Sequence, residues 1–253
     1  MDDLPEPELR FLRDLKSWTV FDGWKRRKGW KMLGKQRAAP WGVTLSKKGE
    51  FGADDPHTHV VVIKLADNGL RGEIPGSVGA VCHLRVLWLN GNQLSGAIPG
   101  RQLSGLRKLE SLRLSGNQLE GEIPHELGYL TALTELFLGT NRLSGAIPAT
   151  LGSLTKLREL ALHNNLLTGA IPETLGSCFE LQRLALGSNR LEAPVPTSLA
   201  ALQELRELNL SNMPTLVEAC PKVIGSLRRL EEVWVYQTGL HGAIPRAVAT
   251  LPE

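Results

Sequence analysis

A segment of 24 residues recurs along this chain, and no other feature restricts its fold as much. From Leu109 the sequence reads LESLRLSGNQLEGEIPHELGYLTA, from Leu133 LTELFLGTNRLSGAIPATLGSLTK, and from Leu157 LRELALHNNLLTGAIPETLGSCFE. The frame extends both ways to eight copies, beginning at Val60, Leu84, Leu109, Leu133, Leu157, Leu181, Leu205 and Leu230. The copies from Leu84 and Leu205 each carry one extra residue. A period of this length marks an array in which each unit leans on its neighbours.

Each copy decodes physically. The opening LxxLxL places apolar side chains with period two, as a short strand buried on one face requires. Asn68, Asn92, Asn117, Asn141, Asn165 and Asn189 follow their strands. A short amide at a bend satisfies backbone groups that no neighbouring strand reaches, so stacked copies predict an asparagine ladder. Gly72, Gly96, Gly121, Gly145 and Gly169 permit backbone angles that other residues avoid. Pro75, Pro99, Pro124, Pro148 and Pro172 remove a donor, which predicts no strand ladder on that side. The closing LGxL predicts a short helical or 3-10 turn with inward leucines. One unit cannot bury its own apolar face, but stacked units can. The expected fold is therefore an α/β solenoid. Its parallel sheet forms the concave face, with the bulkier turns on the convex face.

These residues resemble the plant-type leucine-rich repeat, LxxLxLxxNxLxGxIPxxLGxLxx, from about Val60 to Leu251. Similar repeats occur in receptor-like kinase ectodomains, polygalacturonase-inhibiting proteins and some ROCO-type GTPases. The resemblance implies a right-handed solenoid used for ligand or protein recognition. The expected division is an N-terminal cap over 1–59 and eight repeats over 60–253. The seventh copy is irregular: Met213 replaces the ladder Asn, GxIP is missing, and Pro214 and Pro221 intrude. A bulged or more helical convex side is expected there. The sixth is milder, with Ala193 for Gly and Val195 for Ile.

The segment before the repeats has its own pattern. Leu9, Leu12 and Leu15, with Phe11, stand at helical spacing and predict an amphipathic helix over the first coil. Trp24, Trp30, Trp41, Gly42 and Val43 are similar to the cap that precedes plant-type repeats. The run Lys25-Arg26-Arg27-Lys28, with Lys31, has the composition of a phosphate-binding patch. Neighbouring acids offset it, and a solvated loop over the cap explains it more simply. Asp54-Asp55-Pro56-His57-Thr58-His59 superficially resembles a metal site but lacks ligands at a recognised spacing, so a turn into the first strand is expected.

Composition excludes little else. The formal charge of +3 over 253 residues argues against a whole-chain preference for nucleic acid or anionic membrane. Aromatics make up 5%, so the core must be aliphatic. No phosphate loop, CxxC, HExxH, GxSxG or GxGxxG is present, and His125-Glu126 has Tyr129 where a second metal-binding His would stand. No catalytic group, cofactor or metal is expected. Cys82 and Cys178 lie four coils apart, ~19 Å at ~4.8 Å per coil, too far for a disulfide. With Cys220 they are expected as buried free thiols. The acidic N-terminus is unlike a leader, no apolar run reaches ~18 residues, and 1–59 contains no cysteine, so a cytoplasmic location is expected.

The outward positions of the strands predict where a ligand touches. The central column reads Lys64, Trp88, Arg113, Phe137, Ala161, Ala185, Asn209, Trp234. Two residues on it reads Ala66, Asn90, Ser115, Gly139, His163, Gly187, Ser211, Tyr236. Two residues before, Glu135, Glu159, Glu207 and Glu232 make an acidic edge interrupted by Arg183. Trp88, Arg113 and Phe137 have the composition of a binding hot spot. Trp234 and Tyr236 form a second aromatic patch, and Gly139, Ala161, Ala185 and Gly187 leave room between. The candidate binding residues are Trp88, Asn90, Arg113, Glu135, Phe137, Glu159, His163, Trp234 and Tyr236. A protein or peptide with apolar and basic groups is the expected partner. The alternatives are a subunit or further domain docked on an uncapped C-terminal edge, or the recognition region of a larger kinase or GTPase.

Overall fold

A computed structural model describes residues 4–18, 25–26, 28, 42–48, 50–51, 55, 57–192, 194–217 and 222–241. Trp24, Arg27, Trp30, Lys31, Trp41, Ala193, Cys220, Pro221 and the C-terminal edge beyond 241 lie outside these residues. Strands are numbered in chain order. One nine-stranded sheet takes a single strand from each of the eight copies: β2 (Val60–Lys64), β4 (Val86–Trp88), β6 (Ser111–Arg113), β8 (Glu135–Phe137), β10 (Glu159–Ala161), β12 (Arg183–Ala185), β14 (Glu207–Asn209) and β15 (Glu232–Trp234). These run parallel in unbroken register. The ninth strand, β1 (Val43–Leu45), caps the first one antiparallel. Gly42 makes that approach possible. Its φ is +82°, and a Cβ there would fall 2.4 Å from the Lys64 carbonyl oxygen.

The leucines of the repeat face inward. Leu87, Leu112, Leu136, Leu160, Leu184 and Leu208 are buried, and one continuous apolar cluster runs from Leu4 to Leu230. Parallel strands of consecutive coils need a bend at each strand end. The residue before the ladder position supplies it with positive φ in all eight coils: Asp67, Gly91, Gly116, Thr140, Asn164, Ser188, Asn212 and Gln237. The asparagine ladder then closes the backbone. Asn92 donates through Nδ2 to the carbonyls of Leu65 (2.9 Å) and Leu89 (2.8 Å), and its Oδ1 accepts from the N–H of Asn68 (2.9 Å) and Leu70 (3.0 Å). At the open end, the backbone N–H of Arg26 donates to Asn68 Oδ1 (2.5 Å) and that of Lys25 to the Asn68 carbonyl (2.8 Å). The backbone of the basic run therefore caps the ladder. In the seventh coil Met213 is fully buried at the ladder position, and Asn212 keeps the bend.

A second sheet corrects the expectation that glycine and proline exclude a ladder on their side. It contains β3 (Arg71–Gly72), β5 (Gln93–Gly96), β7 (Gln118–Glu122), β9 (Arg142–Gly145), β11 (Leu166–Ala170) and β13 (Arg190–Glu192). Its rungs use residues before each proline, so the missing N–H falls beyond the last hydrogen bond.

The convex face is built from 3-10 turns, among them Gly76–Ala80, His125–Tyr129, Ala149–Ser153, Glu173–Ser177 and Thr197–Ala201, each entered from a proline. The second copy differs because of its extra residue. There Gly100–Leu103 closes i→i−4 bonds, Leu103 N–H to the Pro99 carbonyl and Ser104 N–H to that of Gly100, and forms an α-helical turn. Lys222–Ser226 of the seventh copy is again a 3-10 turn, while residues 218–221, where the expected bulge would fall, lie outside the described residues.

The predicted amphipathic helix is α1 (Glu6–Trp18), with Phe11, Leu12 and Leu15 fully buried against the first coil. Ser77 donates to Asp14 Oδ2 at 2.6 Å across that contact. Cys82 and Cys178 are free thiols as expected, but Cys82 is exposed, which corrects its placement in the core. Burial pushes the Cys178 thiol up to about 11. None of the described helices is long and apolar enough to cross a membrane.

Candidate functional site

Cross-strand register turns the predicted central column into a physical row. Lys64 faces Trp88, Trp88 faces Arg113, and Arg113 faces Phe137 on adjacent strands. Cations and rings alternate along it. Lys64 Nζ lies 3.9 Å from the Trp88 ring centre, and the Arg113 guanidinium lies 4.3 Å from Trp88 and 4.7 Å from Phe137. A guanidinium between two aromatic faces gains from both quadrupoles and stiffens the row. Polar bonds lock it from beside. Trp88 Nε1 donates to Ser111 Oγ (2.7 Å), Ser111 donates to Glu135 Oε2 (2.6 Å), and Arg113 donates to the same oxygen through Nε (3.0 Å) and Nη2 (2.9 Å). Trp88, Arg113, Glu135 and Phe137 thus form one internally satisfied wall.

Open space begins beyond Phe137. One depression of about 260 Å³ is lined by Ser115, Phe137, Glu159, Ala161, His163 and Arg183. A second, of about 180 Å³, is lined by His163, Arg183, Ala185, Glu207, Asn209 and Trp234. They share His163, Arg183 and Ala185 and form one groove, ended by Phe137 and Trp234. Four coils at ~4.8 Å separate those rings by ~19 Å. Arg183 holds the groove together, reaching Glu207 Oε2 through Nε (2.6 Å) and Glu159 Oε2 through Nη1 (3.2 Å). Glu232, at the end of the same column, is exposed.

The room expected in the middle is only partly there. Ala161 and Ala185 do floor the groove, but Gly139 and Gly187 leave no space. A Cβ at 139 would come within 2.6 Å of the His163 ring, and one at 187 within 2.5 Å of Asn209 Oδ1. Those neighbours occupy the volume the glycines release. Burial, and then the Arg183 charge, lower the His163 pKa below 6.5. His163 Nδ1 and Asn90 Oδ1 are shielded from solvent without a hydrogen-bond partner among the described residues, an uncommon state for buried polar atoms.

Of the nine candidate residues, Trp88, Arg113, Glu135 and Phe137 come together in the wall, and Glu159, His163 and Trp234 join Phe137 in the groove. Asn90 stands apart on the Trp88 coil. Tyr236 is exposed and lines neither depression. Arg183, the ionic hub, and Ser111, the link between Trp88 and Glu135, stand outside the nine candidates. Register carries the signal for both. Arg183 pairs with Glu159 on one side and Glu207 on the other, and Ser111 lies beside Glu135.

A stacked solenoid with a polar and aromatic concave face defines a recognition scaffold. Residues 71–251 match the family described as leucine-rich repeat region, and the chain belongs to the leucine-rich-repeat proteins of plant type. It is similar to the plant peptide hormone receptor RGFR1 solved with RGF2 (31% identity, 74% of this chain and 34% of that chain, TM-score 0.60). It is also similar to the ectodomain of the Arabidopsis thaliana membrane receptor kinase GASSHO1/SCHENGEN3, solved with CASPARIAN STRIP INTEGRITY FACTOR 2 (28% identity, 96% and 31%, TM-score 0.77). A third likeness is to the A. thaliana BIR3–SERK2 complex (31% identity, 74% and 96%, TM-score 0.59). The chain spans about a third of the length of the first two. No curated protein matches it in sequence. Repeats of this kind are typically non-catalytic binding scaffolds.

These likenesses correct the expected cytoplasmic location. The structures matched include ectodomains of membrane receptor kinases, which points to the extracellular side. Sparse cysteines misled because a long stacked leucine core needs no disulfide to hold it, so their number says little about the compartment.

Proposed function

We propose that this chain is a non-catalytic receptor-type scaffold that holds an extended peptide in the groove from Phe137 to Trp234. In this reading residues 1–59 serve as the N-terminal cap and 60–253 as the recognition array. The observation that carries it is the pair of aromatic end walls around a small-residue floor crossed by Glu159, Arg183 and Glu207. A span of ~19 Å accommodates about six extended residues at ~3.3 Å each. Rigid aromatic walls suit apolar side chains, and they bind well because they lose little entropy. Exposed Glu232 beside Trp234 favours a basic group at one end. The peptide complex of the RGFR1 relative adds weight.

The test is selection from a random peptide display library, followed by titration of the enriched peptides. Phe137→Ala and Trp234→Ala should each weaken binding about 30-fold, equivalent to ~2 kcal/mol. Peptides that bind both variants as tightly as the parent chain would refute the groove.

A further inference from the structure

The helix α1 is tied to the first coil by a cluster that the concave face does not use. Glu8 is 2% exposed. Its Oε2 accepts the N–H of Val60 at 2.7 Å, and its Oε1 lies 2.6 Å from His59 Nδ1. On the far side of that ring, Nε2 lies 2.8 Å from Asp55 Oδ2. His83 stacks on His59, with ring centroids 4.0 Å apart. The two histidines are one repeat period apart, each just before the first residue of its copy, so coil stacking sets them side by side. One ligand atom each from Glu8, His59 and His83 lies within 4.8 Å of the others.

A neutral imidazole carries one N–H, yet His59 meets a carboxylate at both nitrogens. If Asp55 accepts the Nε2 hydrogen, the Nδ1 lone pair faces the Glu8 oxygen, and a cation must close that contact. A proton closes it for His59 alone, with His83 serving as a packing partner of the His59 and Phe51 rings. A metal ion uses both imidazoles. Metal-bound histidines commonly donate their other N–H to a carboxylate, which is where Asp55 stands.

We propose that Glu8, His59 and His83 bind a divalent metal ion of the zinc class, with Asp55 as the outer carboxylate, and that the ion clasps α1 to the first coil. Two imidazoles and a carboxylate are a set that zinc accepts while leaving a fourth position for water. Bonds of about 2.0–2.2 Å place tetrahedral donors roughly 3.4 Å apart, wider than the 2.6 Å contact of Glu8 with His59 and inside the 4.8 Å within which all three donor atoms lie. Neighbouring Phe51 packs at a tilt on His83, ring centroids 4.2 Å apart, and meets His59 edge-on at 5.7 Å, which partly shields the site.

The experiment is calorimetric titration of the metal-stripped full chain with Zn²⁺, alongside thermal melts with and without the ion. One equivalent should bind and raise the melting temperature. His83→Ala keeps the Glu8, His59 and Asp55 contacts, so it should fold, weaken binding at least 100-fold and abolish the thermal shift. Asp55→Asn should weaken binding about tenfold to 100-fold. No stoichiometric binding by the parent chain, or equal binding by His83→Ala, overturns the proposal.

Discussion

Arg113 donates to Glu135 Oε2 at 2.9 Å while its guanidinium lies between the rings of Trp88 and Phe137. The ion pair is about a quarter exposed on each side, so solvent screens it only in part. A double-mutant cycle with Arg113→Ala and Glu135→Ala should give a coupling of about 1 kcal/mol in urea denaturation. Arg113→Lys should restore less than half of it, because an ammonium cannot fill the planar slot or donate twice. A coupling near zero would show that the wall is not locked.

The ladder predicts a larger cost. Asn165 donates to the carbonyls of Leu138 and Leu162 and accepts from the N–H of Leu143, all at 3.0–3.1 Å. Asn165→Ala strands three backbone groups inside the bend. The loss should be about 3 kcal/mol or more in midpoint-derived stability. A loss below about 1 kcal/mol would mean that water replaces the amide.

Proton binding should tell at His163. Its folded pKa lies below 6.5 because of burial and the Arg183 charge. The unfolded chain therefore binds more protons at this site, and stability falls as pH drops from 6.5 through the folded value. NMR titration of the ring should show a midpoint below 6.5, and His163→Gln should flatten that part of the stability profile. A midpoint at or above 6.5 contradicts the placement of the ring.

Coil spacing on the convex face depends on Gly152. A Cβ there would meet the Thr174 carbonyl oxygen at 2.3 Å, and backbone cannot yield as a side chain does. Gly152→Ala should cost about 2–3 kcal/mol by forcing coils apart, visible as a lower denaturation midpoint. An unchanged midpoint would show that the turn adjusts freely.

The repeat was legible because its period repeats one physical problem eight times. Leucines at period two, a bend and an amide to close it determine the strands, the ladder and the central column from Lys64 to Trp234. The helix at Leu9, Leu12 and Leu15 was legible for the same reason, through its own period. The second sheet was not. Proline at 99 or 124 argued against strand pairing, and only the three-dimensional path shows the pairing ending before it.

The chain of residues by itself therefore determined which side chains share a face, since that follows from spacing alone. Tertiary structure decided which of those neighbours leave space. Gly139 looked open until the His163 ring filled it, and Arg183 looked like an interruption until it bridged Glu159 and Glu207. It also brought Glu8 to His59 across 51 residues. Side-chain reach and long-range closure depend on packing in three dimensions, which no local period encodes.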